Sequence, residues 1–186
     1  FNLGLLLWVS NPMANPQIAT IQTIFSSRLD NLSHFLELAE THFATELEAF
    51  LQRRIAPDML PFGTQVVFTC NQPRNFALWC ADQPANNLPP NVDTLVQAHE
   101  HIAATKGLLA EIDAVDAKLE TIAKIPLGQA LYLELSGRSY VDDFLVPNFY
   151  FHLTTAYNII RMAGAPIGKR DYMTHLVPLI QHQDNT

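Results

Sequence analysis

The chain has 186 residues and a formal charge of −7, with 48% hydrophobic and 16% charged residues. That length fits one domain with a full core, and the low charge density leaves Asn, Gln, Ser and Thr to cover much of the surface. No basic cluster exceeds Arg53-Arg54 or Lys169-Arg170, which excludes nucleic acid as a main partner, because phosphate neutralisation needs grouped Lys and Arg.

The opening Phe1-Asn2-Leu3-Gly4-Leu5-Leu6-Leu7-Trp8-Val9 is apolar. It is shorter than a membrane span and lacks the basic region of a signal peptide. Met13 reads as a natural start, so residues 1–12 are taken as an N-terminal extension and 13–186 as a single domain. Packing on a partner chain would hide the apolar run.

Asn15-Pro16 predicts a helix start, with Asn as N-cap and Pro at the first helical position. Apolar residues then recur at Ile18, Ile21, Phe25, Leu29, Leu32, Leu36, Ala39 and Phe43. Steps of three and four predict a long amphipathic helix. Thr45-Glu46-Leu47-Glu48 resembles a capping box that opens a short helix to about Arg54. A second long helix is predicted from Met59–Pro61, with a kink or stop near Gln72 imposed by Pro73.

Residues 83–91 are rich in Pro and Asn and read as loop. Asn91 or Asp93 then caps a third helix carrying Leu95, Ala98, Ile102, Leu109, Ile112, Val115, Leu119 and Ile122, which Pro126 ends. Ala130–Leu135, Ser136-Gly137 and Arg138–Val141 read as a small β-hairpin. The fourth helix is predicted over Asp142–Ala163, with Gly164 as the residue that stops it and Arg161 suited to its negative terminus. A short helical piece follows near Tyr172–Ile180. Four long helices with one longer connection predict an all-α four-helix bundle with a small hairpin before the last long helix.

Cys70 and Cys80 form no C-x-x-C pair and no disulfide framework. They read as half-buried thiols in a reducing cytoplasm. No nucleophile elbow, Walker loop, dinucleotide fingerprint or H-E-x-x-H is present. His99 and His101 point apart on their helix, and His34 and His42 stand two turns apart, so neither pair can share an ion. His34, His42, His175 and His182 are expected at the surface. Arg138, beside Asp142 and Asp143, reads as a surface ion pair or a cap.

The chemistry-bearing stretch is Pro147-Asn148-Phe149-Tyr150-Phe151-His152, continuing through Thr155, Tyr157, Arg161 and Gly164. Asn148, His152 and Thr155 fall at i, i+4 and i+7 and share one face. Polar groups on an otherwise apolar helix are costly to bury without partners, so the stripe is the candidate site, and Asn148 and His152 are expected to face the bundle interior.

Two separated motifs carry a family resemblance. Arg54-Ile55-Ala56-Pro57-Asp58-Met59-Leu60-Pro61 with Gln65-Val66, and the Pro147–His152 stretch with Thr155-Ala156-Tyr157, Arg161, Gly164 and Ile167-Gly168-Lys169-Arg170-Asp171-Tyr172, resemble an uncharacterised bacterial domain-of-unknown-function branch of the DinB/YfiT-like superfamily. The similarity spans roughly Met13 to Tyr172. It implies a DinB-like four-helix bundle, often a homodimer. Many members hold a divalent metal with three histidines, one on the second helix and two in an H-x-x-x-H on the last, and some are thiol-dependent transferases or hydrolases. His152 matches the second histidine of that pair, Asn148 stands at the first, and Gln65 matches the histidine of the second helix.

The resemblance therefore implies a degenerate metal site. Amide oxygens are poor ligands for zinc or nickel, so no cofactor is expected, with His152 as the one metal ligand if nickel or zinc binds. Gln65, Asn148 and His152 can instead form a hydrogen-bonding cluster that holds a small molecule. Asp58 could accept from His152 or cap the second helix, and Thr155 completes the ligand-binding set. Three functions follow as expectations: a cytoplasmic, homodimeric small-ligand protein; a metal-dependent thiol transferase or hydrolase; and a non-catalytic, stress-related dimeric interaction module. None of them calls for a membrane.

Overall fold

The computed structural model describes residues 16–181; the 1–12 extension, Asn15 and His182 lie outside them. Helix α1 spans Gln17–His42, α2 Leu47–Leu51, α3 Phe62–Cys80 and α4 Leu95–Ala110. Strands β1 (Ile122–Gly128) and β2 (Leu131–Ser136) form an antiparallel hairpin. The chain then re-enters helix at α5 (Gly137–Ser139), passes through a π-helical stretch at Tyr140–Leu145 and continues as α6 (Val146–Met162). Helix α7 (Lys169–Tyr172) and a 3₁₀ turn (Thr174–Leu179) close the described chain.

The four long helices α1, α3, α4 and α6 bury the predicted apolar stripes against one another. Phe25, Leu29, Leu32, Leu36 and Ala39 of α1 are fully buried, as are Val66, Val67 and Phe76 of α3 and Phe149, Leu153, Ile159 and Ile160 of α6. Aromatic edges tie the layers together: Phe25 lies 5.0 Å from Phe149 and 5.7 Å from Phe76, ring centre to ring centre. Helix α3 is the central element, packing chiefly on α6 and α4.

Several local expectations are corrected. Helix α3 does not stop at Pro73, which lies buried in its interior. Burial of residues on both sides outweighs the one backbone hydrogen bond that Pro cannot donate. Helix α4 ends at Ala110 rather than at Pro126, because Ile122 and Pro126 belong to β1. The hairpin therefore pairs β1 with β2, Ile125 facing Leu133 and Pro126 facing Tyr132, while Arg138–Val141 are helical.

The expected caps also move. Thr94, not Asn91 or Asp93, caps α4, its hydroxyl accepting from Gln97 N–H at 3.2 Å. Glu46 begins α2 without a side-chain cap. Helix α1 starts one residue later than expected, with Pro16 outside it. Its cap comes from 98 residues away: the Asp116 carboxylate accepts from Gln17 and Ile18 N–H at 2.9 and 3.0 Å. These two bonds hold the Asp116 carboxyl below the ordinary carboxylate range. Gly164 ends α6 as expected, with φ +102°, and Arg161 donates to Ile167 O at 2.6 Å.

Candidate functional site

The first turn of α3 and the second turn of α6 meet at Gln65 and His152. Gln65 is 1% exposed and His152 is 8% exposed. His152 Nδ1 and Gln65 Oε1 are 2.7 Å apart, while Gln65 Nε2 donates to Leu60 O at 3.0 Å. A carbonyl oxygen can only accept, so the Leu60 bond fixes which end of the Gln65 amide is nitrogen. Oε1 therefore faces the imidazole, and Nδ1 must carry the proton that is donated.

The remaining ring nitrogen, Nε2, is left with its lone pair. It makes no hydrogen bond among the described residues, yet it is not a sealed, orphaned atom. It is thus the edge of the ring that meets solvent. Burial lowers the His152 pKa to about 4, because removing water from an imidazolium costs more than removing it from imidazole. At neutral pH the group is a neutral hydrogen-bond acceptor of fixed tautomer. Phe68 and Phe151 meet the ring edge to face, with centres 5.1 and 5.2 Å away, and hold its plane.

The other candidate residues do not join this pair. Asn148 is half-buried and donates through Nδ2 to Phe144 O at 2.6 Å, one turn back in the π-helical stretch. That bond adds a donor where the π-helical stretch passes into α6 and Pro147 offers no N–H. Thr155 is buried and donates back to Phe151 O at 2.7 Å. Asp58 is exposed and makes no hydrogen bond among the described residues. Asn148, His152 and Thr155 share the helix face as the spacing requires, but only His152 reaches across to another helix.

The donor chemistry does not fit a nickel or zinc ion. Among the described residues no three His, Cys, Asp or Glu side chains converge as a metal site. Gln65 Oε1 is occupied by the imidazole N–H, and Asn148 could offer only an amide oxygen, a poor ligand for either ion. The two thiols offer no alternative nucleophile: burial pushes Cys70 up to about 12 and Cys80 up to about 11. Cys70 is fully inside the core and Cys80 is 9% exposed at its edge.

Elsewhere, His34 and His175 are half-buried rather than exposed. His34 Nε2 lies 3.2 Å from Asp171 Oδ1, and His175 Nδ1 lies 3.0 Å from Asn31 Nδ2. Arg138 pairs with Glu120 at 3.1 Å and donates to Gln17 Oε1 at 2.7 Å, not to Asp142 or Asp143. No helix among the described residues is long and apolar enough to cross a membrane.

A bundle of four long helices, with a hairpin before the last and a lone polar contact between the second and the last, is a DinB-like fold. The chain belongs to the DUF1993 family, a domain of unknown function whose model matches residues 19–173. Among solved structures it is similar to a DinB family member from Shewanella denitrificans, with 26% identity and a TM-score of 0.72 over 84% of this chain and 92% of that one. No curated protein matches the chain.

Proposed function

We propose that this domain binds a small molecule through His152, acting as a helical binding module rather than a metal enzyme. The observation that carries this reading is the chain of bonds from Leu60 O through Gln65 to His152 Nδ1. It presents a neutral imidazole whose Nε2 can accept a hydrogen bond from a ligand O–H or N–H. The supporting shell is rigid, since Gln65 is itself buried and fixed at both ends. Two free, buried cysteines accord with a reducing, cytoplasmic setting. Phe151 and Met162, each 57% exposed on α6, supply apolar surface for the homodimer that the resemblance implies.

Elemental analysis of the purified chain after dialysis against nickel or zinc is the first experiment. It is followed by a thermal-shift screen of small hydroxyl- and amide-bearing compounds on the wild type and on His152→Gln. The expected result is no stoichiometric metal, with compounds that stabilise the wild type and leave His152→Gln unchanged. One metal per chain, lost in His152→Gln, would overturn this reading in favour of a metal-dependent transferase or hydrolase.

A further inference from the structure

A cavity of about 380 Å³ lies between α3, the Pro- and Asn-rich loop, the hairpin and the π-helical stretch. Its volume is in the range of small-molecule sites. Neither Gln65 nor His152 lines it; Phe68, which does, meets the His152 ring edge to face.

The polar groups of this cleft are oriented by their own bonds. Asn71 is 4% exposed, and its Oδ1 accepts from Leu88 N–H at 2.9 Å. A backbone N–H can only donate, so the other end of that amide must be the nitrogen. Asn75 Oδ1 likewise accepts from Asn86 N–H at 3.3 Å, so Asn75 Nδ2 donates to Asn87 Oδ1 at 2.8 Å. What remains unused is Nδ2 of Asn71 and Nδ2 of Asn87, both donors. Tyr140 also lines the cleft, its hydroxyl makes no hydrogen bond among the described residues, and neither that hydroxyl nor Asn71 Nδ2 is sealed from solvent.

Lys124 adds a full positive charge. Its ammonium sits 3.9 Å from the centre of the Tyr132 ring and is in no ion pair among the described residues, although Glu134 is its cross-strand neighbour. No Asp or Glu is among the described residues lining the cavity. Gln72 adds an acceptor, Oε1, because its Nε2 donates to Phe68 O. Phe68 and Phe144 form an aromatic wall.

In a chain of net charge −7, a concave site with oriented donors, one cation, an aromatic wall and no carboxylate selects an anionic acceptor attached to a flat apolar body. We propose that this cleft binds a small aromatic monocarboxylate, its carboxylate taken by Lys124 and the Asn71 and Asn87 amides and its ring laid against Phe68 and Phe144. Charge-assisted bonds of this kind are roughly twice as strong as neutral ones. The site is separate from His152 and does not depend on a ligand there.

The test is a titration of the ¹⁵N-labelled full chain with phenylacetate, benzoate and indole-3-acetate, with phenylacetamide as the neutral control, following the Asn side-chain amides. The expected result is saturable binding of at least one carboxylate, weaker binding of phenylacetamide, and an affinity about fivefold lower in Lys124→Met. Lys124 is exposed, so this variant keeps the fold. His152→Gln is expected to bind the carboxylate as the wild type does. Failure of all three acids to saturate, equal binding of phenylacetamide, or an unchanged affinity in Lys124→Met would overturn the proposal. Loss of binding in His152→Gln alone would move the ligand to His152 and overturn it as well.

Discussion

At the scale of the residue, two amides decide the state of two histidines. Gln65 makes His152 an Nδ1–H donor. Asn31 does the converse: its Oδ1 accepts from His175 N–H, so its Nδ2 donates and His175 Nδ1 must accept. The pH consequence at His152 can be given a sign. Its folded pKa is lowered from 6.5 to about 4 by burial, so on acidification the unfolded chain takes the proton first. The stability tied to neutral His152 is complete above about pH 6.5 and is lost as pH falls toward 4. Solvent contact at Nε2 keeps the effect to about 2 kcal/mol, below what the bare shift would give. His101 and His175 are also held low by burial and contribute with the same sign. Urea melts at pH 7 and pH 4.5 should therefore be compared between wild type and His152→Gln. The wild type should lose more stability on acidification than the variant by that amount; an equal loss in both would place the titrating group elsewhere.

At the scale of the element, the hairpin separates what was legible from what was not. The stripe from Ile18 to Ala39 and the Asn148/His152/Thr155 face could be read from spacing alone, because helical periodicity is a property of the segment itself. The hairpin was misplaced because its two turn residues carry no turn signal of their own; the one glycine, Gly128 at φ +84°, stands before them. Gln129 and Ala130 hold φ of +48° and +62°, the left-handed pair that two-residue hairpin turns need and that Asn-Gly normally supplies. Ser136-Gly137 did carry a signal, but for another reason: a Cβ at Gly137 would fall 2.5 Å from the Trp79 ring, so the glycine serves packing. The Asp116 cap of α1 and the Gln65–His152 contact join residues 98 and 87 positions apart, which no local pattern encodes. Asn71 and Asn75, one turn apart on α3 and facing a loop with Asn86 and Asn87, were a visible pattern whose meaning needed the fold. Because the turn residues are strained, Gln129→Asn with Ala130→Gly should raise stability by about 1 kcal/mol. Thermal melts check this directly, and no gain, or a loss, would mean that the turn is held without strain.

At the scale of the whole molecule, the chain is closed by its C-terminal segment lying back on α1. Asn31, 1% exposed in the middle of α1, donates to Tyr172 O at 2.7 Å and accepts from Thr174 Oγ1 at 2.6 Å and His175 N–H at 3.1 Å. Asp171 reaches His34 of the same helix, and Tyr172 stacks on Phe35 with ring centres 6.1 Å apart. With His175 Nδ1, one amide thus satisfies four groups more than 140 positions away, and a truncation there strands them together. Asn31→Ala should cost about 2 kcal/mol, the scale of leaving partly buried polar groups without partners. That loss need not be global. Few apolar contacts hold this segment, since none of the residues from Lys169 to Leu179 is fully buried, whereas the bundle core does not involve Asn31. The segment should therefore open locally, and a local cost of about 1.4 kcal/mol is already tenfold in the open population. Limited trypsin digestion reads this at Lys169 and Arg170: cleavage there should rise tenfold or more in Asn31→Ala while cleavage at Lys106, in α4, stays at the wild-type rate. A parallel rise at Lys106 would mean that Asn31 holds the whole bundle together rather than its closing segment.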